Sequence, residues 1–208
     1  MKRTTVIGPI ALLALFAVTA GCSGRGENAP PRRVNTDHLG SVYENAALGI
    51  AFRPPQGWQP LEAAQRERVA QALLAREDDD AWNLRVTDLF LDAETLSFAA
   101  LSEIVREGEP VTEPDAYLST FVGRLEDALA PESDDALEQA RFTLNGLPVV
   151  MIRYRLNGRD TTSVVLVRPG EPVVQIDYSI PAGDDPERAA RIESSVGTLQ
   201  PLGSGNEE

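Results

Sequence analysis

Apolar and polar positions along this chain recur with different periods, and each period predicts an element. Leu118, Phe121, Val122, Leu125 and Leu129 recur three or four residues apart, which predicts a helix over 113–130 with one apolar stripe set against a sheet. Pro114 falls in its first turn beside Glu113 and Asp115, and Pro131 stops it. Leu61 to Arg76 is also helical in composition, with Leu61, Ala64, Val69, Ala72 and Leu73 near one face. Elsewhere the period is two. Leu48 to Arg53 reads as a strand with Ile50 and Phe52 facing the core, broken by Pro54-Pro55 and Gly57. Trp82 to Leu91 alternates Trp82/Leu84/Val86 with Asn83/Arg85/Thr87 and reads as a strand. Leu96 to Arg106 fits a helix through Phe98, Leu101 and Val105 as well as a strand. It is read as a strand, paired with its predecessor through Asp92-Ala93-Glu94.

The second half is a series of strands punctuated by turn signals. Leu137 to Leu144 runs into Asn145-Gly146, the strongest short hairpin signal in the chain. Val149 to Leu156 returns, with Val149, Met151 and Arg153 on one side and Val150, Ile152 and Tyr154 on the other. Asn157-Gly158 turns again, Thr162 to Arg168 runs out, Pro169-Gly170 turns, and Val173 to Ile180 comes back. Pro186 opens a last helix to about Val196, capped by Asp184 or Asp185, with Ile192 and Val196 on one face. No strand–helix–strand alternation suggests a parallel sheet. The expected class is α+β, a helix–sheet–helix sandwich around a central antiparallel sheet.

The N-terminus follows another rule. Lys2 and Arg3 precede Val6 to Val18, 13 almost wholly apolar residues. A membrane-spanning helix needs roughly 20, and a core helix would show a polar face. A short apolar run behind a positive start reads as the apolar region of a secretory signal peptide. It ends at Thr19-Ala20-Gly21-Cys22-Ser23, which holds the one cysteine of the chain. Those residues, with the run before them, resemble the lipobox of bacterial lipoproteins, although Thr19 stands where that motif usually has Leu. The resemblance implies cleavage between Gly21 and Cys22, a diacylglycerol on the Cys22 thiol and often a further acyl chain on the new amino group. It also implies that Ser23, rather than Asp, directs the protein to the outer membrane of a cell that has one. One acyl chain binds a membrane only marginally, and several on one residue suffice for stable anchoring.

This reading divides the chain into a signal peptide over 1–21, a lipidated cysteine and flexible tether over 22–41, one domain over 42–201 and a disordered tail over 202–208. The mature chain of 187 residues would carry 17 Arg, no Lys and 32 Asp plus Glu, a side-chain balance of −15. So acidic a body is repelled by nucleic acid and by anionic headgroups. Without a mature Lys there is no Schiff base and no phosphate-loop lysine. One His and one Cys cannot build a zinc cluster of those residues, and no cofactor is expected. A Ser–His–Asp triad would have to use His38, which falls in the polar lead segment and reads as a solvated linker residue. Asp78-Asp79-Asp80 lacks the Gly and terminal Glu of a calcium loop and reads as a solvated turn.

Four segments taken in order, LGIAFRPPQGW (Leu48 to Trp58), YLSTFVGRLEDAL (Tyr117 to Leu129), LNGLPVVMIRYRL (Leu144 to Leu156) and RIESSVGTL (Arg191 to Leu199), resemble the PsbP-like superfamily, which includes DcrB-like envelope lipoproteins. The resemblance implies a helix–sheet–helix fold and a protein that assists or binds other proteins at a membrane, generally without enzymatic activity. It carries over no catalytic or ligand residue. The expectation is a membrane-anchored, non-enzymatic module that binds an envelope protein. A carrier of a small apolar ligand or lipid is the alternative, and a hydrolase using paired carboxylates is less favoured. Trp58 is a candidate docking residue, although the better reading is that a Trp after a Pro-Pro-x-Gly turn caps the core.

Overall fold

The computed structural model describes residues 34–74, 83–105, 111–129, 137–183 and 185–202. Cys22, the rest of the leader, residues 23–33 of the tether, Asp78 to Asp80 and Trp82 lie outside them. The strands are β1 Tyr43–Asn45, β2 Ile50–Phe52, β3 Gln59–Pro60, β4 Asn83–Asp92, β5 Ser97–Val105, β6 Glu138–Leu144, β7 Leu147–Leu156, β8 Arg159–Leu166, β9 Val173–Pro181 and β10 Gln200–Pro201. The helices are α1 Ala63–Leu74, α2 Pro114–Leu129 and α3 Pro186–Val196.

A seven-stranded antiparallel sheet runs in the order β3-β4-β5-β9-β8-β7-β6. The period-two pattern sorts its side chains between two cores. Val150, Ile152, Val165 and Val173 meet Leu118, Phe121 and Val122 of α2 on one face. Val149, Met151, Val164, Ile176 and Tyr178 face the other way, onto Ile50, Phe52, Ile192, Val196 and Leu199. That second face is covered jointly by α3 and a three-stranded sheet, β1-β2-β10. The α+β class and the antiparallel sheet between helices follow the expectation. The small second sheet does not, because its strands are two or three residues long and join segments about 150 residues apart.

Both Asn-Gly hairpins form. Asn145 and Gly146 have φ of 48° and 79°, and Asn157 and Gly158 have 51° and 71°, as two-residue hairpin turns require. Asn145 also donates through Nδ2 to the carbonyl of Leu199 at 2.7 Å, tying the β6–β7 turn to the chain end. Asn145→Val should therefore cost about 2 kcal/mol, from a β-branched residue at positive φ and a lost hydrogen bond. A melting temperature lowered by roughly 4–8 °C is the expected result for a domain of this size; no change would count against the turn.

The ambiguous segment is a strand. β5 pairs with β4 from Asp92↔Ser97 to Asn83↔Val105. A bulge between Val86 and Asp88 shifts the register, so Leu84 packs on the α2 side and Phe90 on the other. There Phe90 meets Tyr43 and Phe52 edge-on, with ring centres 4.9 and 5.6 Å away. The alternation read from 82–91 did not foresee that inversion.

Two expectations are corrected. α1 leaves part of the predicted apolar stripe in solvent: Ala64 is exposed and Val69 is 38% exposed. It is held to the sheet instead by a polar contact, Arg66 donating to Asp88 on β4 at 3.1 Å. Residues 34–41, assigned to the flexible tether, are packed on the domain. Leu39 is buried and bridges to Pro55. Gly40 donates its amide to Pro54 O at 2.8 Å, the Gln56 amide donates to His38 O at 2.8 Å, and the Asn35 amide reaches Ser194 Oγ of α3 at 3.3 Å. A short polar segment with one buried anchor, Leu39, has no hydrophobic period to announce it.

Candidate docking clefts beside α3

α3 forms where the sequence places it. Asp185 caps it, accepting from the amides of Glu187 and Arg188 at 3.1 Å each, and Pro186 fills the first position, which needs no donor. Ile192 and Val196 then pin one face onto the sheet. A cleft of about 470 Å³ lies between this helix and β7 and β8. Ile180 and Ile192 line it together with Thr162 of β8. Arg153 donates to Glu193 of α3 at 2.8 Å across it. Arg155 donates to Asp160 at 2.7 Å, and Asp160 also accepts the Gly183 amide at 3.3 Å. Glu138 and Asp185 complete the charged rim.

A smaller cleft of about 240 Å³ lies at the N-terminal end of α3, lined by Asp92, Thr95, Arg188, Arg191 and Trp58 among others. Burial works to raise the Asp92 carboxyl there. Hydrogen bonds from the Thr95 hydroxyl and the Glu94 amide outweigh it and hold the carboxyl below its ordinary range.

On the α2 side of the sheet, Asp177 of β9 accepts from the Ser163 hydroxyl and, at 2.8 Å, from Gln175 Nε2. Asp177 keeps some exposed surface, but its carboxyl lies deep among the strands, and burial pushes its pKa above the ordinary value despite both hydrogen bonds. A raised folded pKa means the fold prefers the protonated acid. The contribution of this group to stability is fully present below the unfolded value of about 3.9 and is lost as pH rises through the folded value. Asp177→Asn should therefore raise the melting temperature at pH 7 relative to wild type and flatten the decline between pH 4 and 7. An unchanged difference across that range would contradict it.

The sequence-named residues fare differently. Trp58 is 8% exposed and packs against Tyr178, with ring centres 6.2 Å apart. It is a core residue that closes the end of one cleft and offers no exposed docking surface; the Pro-Pro-x-Gly turn drives its ring inward. His38 is half-buried within the docked segment, and its Nε2 lies 3.2 Å from Asn35 Nδ2. No serine–histidine–acid arrangement forms around it among the described residues. Gly21 and Cys22 lie outside them. No group of three His, Cys, Asp or Glu that could hold a metal occurs among the described residues. Arg153, Asp160, Thr162 and Glu193 were not singled out from sequence. The available signal was Arg153 itself, an arginine on the core-facing side of a strand beside Val149 and Met151.

No known family model matches the chain, and no curated protein matches it. It is similar to a protein of known crystal structure from Bacteroides thetaiotaomicron, at 12% identity and a TM-score of 0.44. The alignment covers 81% of this chain and 51% of that one, so the chain spans about half its length. So loose a likeness carries no argument about fold family or function. No helix among the described residues is long and apolar enough to cross a membrane.

Proposed function

We propose that this protein is a lipid-anchored module of the bacterial cell envelope, held by acyl chains on Cys22, whose domain docks on another envelope protein without catalysing a reaction. In a cell with two membranes it faces the periplasm from the outer membrane. We also assign the domain to the PsbP-like type, on the order of its four segments and an antiparallel sheet between helices. The observation that carries the reading is Cys22 itself, the one cysteine of the chain, set directly behind a 13-residue apolar run and two small residues. With residues 34–41 docked on the domain, only 23–33 remain for the leash. The charged rims of both clefts suit a polar protein surface better than an apolar ligand. Crosslinking of the anchored protein in cells, followed by mass spectrometry, tests the docking reading. One abundant protein partner is expected; co-purified lipid without a protein partner would favour the carrier.

A further inference from the structure

β6 ends the seven-stranded sheet, and among the described residues no strand borders its outer side. The opposite edge is better covered. β3 pairs with Phe90 and Leu91 of β4, and Arg66 of α1 holds Asp88 on the same strand. Edge strands are usually blunted by a proline, a bulge or lysines. β6 has no Pro and no Lys, and its register with β7 runs unbroken from Glu138↔Arg153 to Leu144↔Leu147.

The Asn145-Gly146 turn settles which backbone groups of β6 point outward. A two-residue hairpin closes on a hydrogen-bonded pair, here Leu144↔Leu147, and the pairing alternates from there. Gln139, Arg141 and Thr143 therefore aim their N–H and C=O groups away from β7. Pro148 fits this phase, since it stands opposite Thr143, where no donor is needed. No backbone bond from those three residues reaches another described segment. A row of outward donors and acceptors is a template for one class of occupant, another extended strand.

The side chains narrow the class. Ala140 and Leu144 are partly buried and pack with Phe142 on the α3 side of the sheet, so an apolar row reaches the edge there. Gln139, Arg141 and Thr143 face the α2 side, where Arg141 donates to Ser119 Oγ at 2.8 Å. Arg141 makes no ion pair with a described residue, on a chain of net charge −13. A second copy of this chain fits badly. The antiparallel register that uses all three outward residues of both copies sets Arg141 directly opposite Arg141, and like charges in that position destabilise a pair. An acidic residue opposite Arg141 would pair with it instead.

We propose that β6 accepts an extended segment of the docked protein as a further strand of the sheet, with an acidic residue opposite Arg141 and apolar residues on either side of it, against Ala140 and Phe142. This rests on the docking reading and names the surface used and the chemistry of the partner.

The test uses the full lipidated chain in neutral detergent micelles, with backbone amides labelled for NMR. The probe is a capped peptide as long as β6 that alternates valine with polar residues and carries glutamate at its centre. A second peptide has lysine in place of the glutamate. The glutamate peptide should shift the amides of Gln139, Arg141 and Thr143 saturably and slow their exchange with solvent, while those of β5 and β9 inside the sheet stay still. The lysine peptide should bind about ten-fold more weakly, and Arg141→Glu should reverse that preference. The reversal cannot come from a misfolded variant, which would lose both peptides. No shift, shifts centred away from β6, or a preference unchanged by Arg141→Glu each overturns the proposal. Photocrosslinkers at Thr143, Thr120 and Ala189 in cells separate the two readings. Crosslinks from Thr143 to an apolar–acidic–apolar segment of another protein are expected. Crosslinks from Thr143 to the β6 of a second copy overturn the proposal in favour of self-pairing. Protein crosslinks from Thr120 or Ala189 but none from Thr143 leave the docking module standing and remove β6 as its surface. Absence of protein crosslinks from all three positions removes the docking module itself.

Discussion

Replacing Trp58 by alanine is expected to destabilise the domain by about 3–5 kcal/mol, the usual cost of truncating a large buried aromatic. The ring is 8% exposed and closes the core against Tyr178. Behind it Tyr178 is fully buried, with its hydroxyl 3.0 Å from Ser195 Oγ, which in turn donates to the Arg53 carbonyl at 2.7 Å. Removing the indole therefore opens a cavity beside a hydrogen-bonded chain that links β9, α3 and the end of β2. Val42→Ala is the control: at 59% exposed, it should change stability by no more than about 0.5 kcal/mol. Denaturant unfolding of both variants decides between the two roles of Trp58. A large loss of stability fits the core. Unaltered stability with loss of partner binding would restore the tryptophan as a docking residue.

The second large effect concerns location. Cys22→Ala should move the protein wholly from the membrane fraction to the soluble fraction and abolish incorporation of labelled palmitate, with the domain still folded. The reason is additive: each buried methylene contributes about 0.8 kcal/mol, so losing all acyl chains removes far more binding free energy than any surface contact of an acidic domain could replace. Palmitate in the Cys22→Ala protein, or membrane retention that survives high salt, would show that another group is the anchor.

Much of the fold was legible because its signals are local. The i, i+3, i+4 stripe of α2, the two Asn-Gly turns and the Asp-Pro start of α3 each need only neighbours in sequence, and each formed. β5 was legible only with its partner, since Phe98, Leu101 and Val105 suit a helix until β4 is laid beside them. What stayed hidden depends on distant residues. The bulge at Val86–Asp88 is fixed by where Asp88 finds Asn45, whose Nδ2 donates to it at 2.7 Å across 43 residues. The packing of residues 34–41 depends on Ser194 and Pro54, and nothing in their own composition marks them. The candidate site was hardly legible. Its cleft is lined by a helix at 186–196 and strand residues such as 153–155 and 160–162, and no spacing within either segment records that. Arg153 was visible as a misfit on an apolar face, but its partner Glu193 emerges only once α3 has docked.

The central claim is that the mature chain begins at a lipid-bearing Cys22. Intact-mass measurement of the protein isolated from its native membrane tests it directly. A mass equal to residues 22–208 plus a diacylglycerol, with or without one further acyl chain, is the predicted result. An unmodified Cys22 thiol, or a mature chain that begins anywhere else, would contradict it.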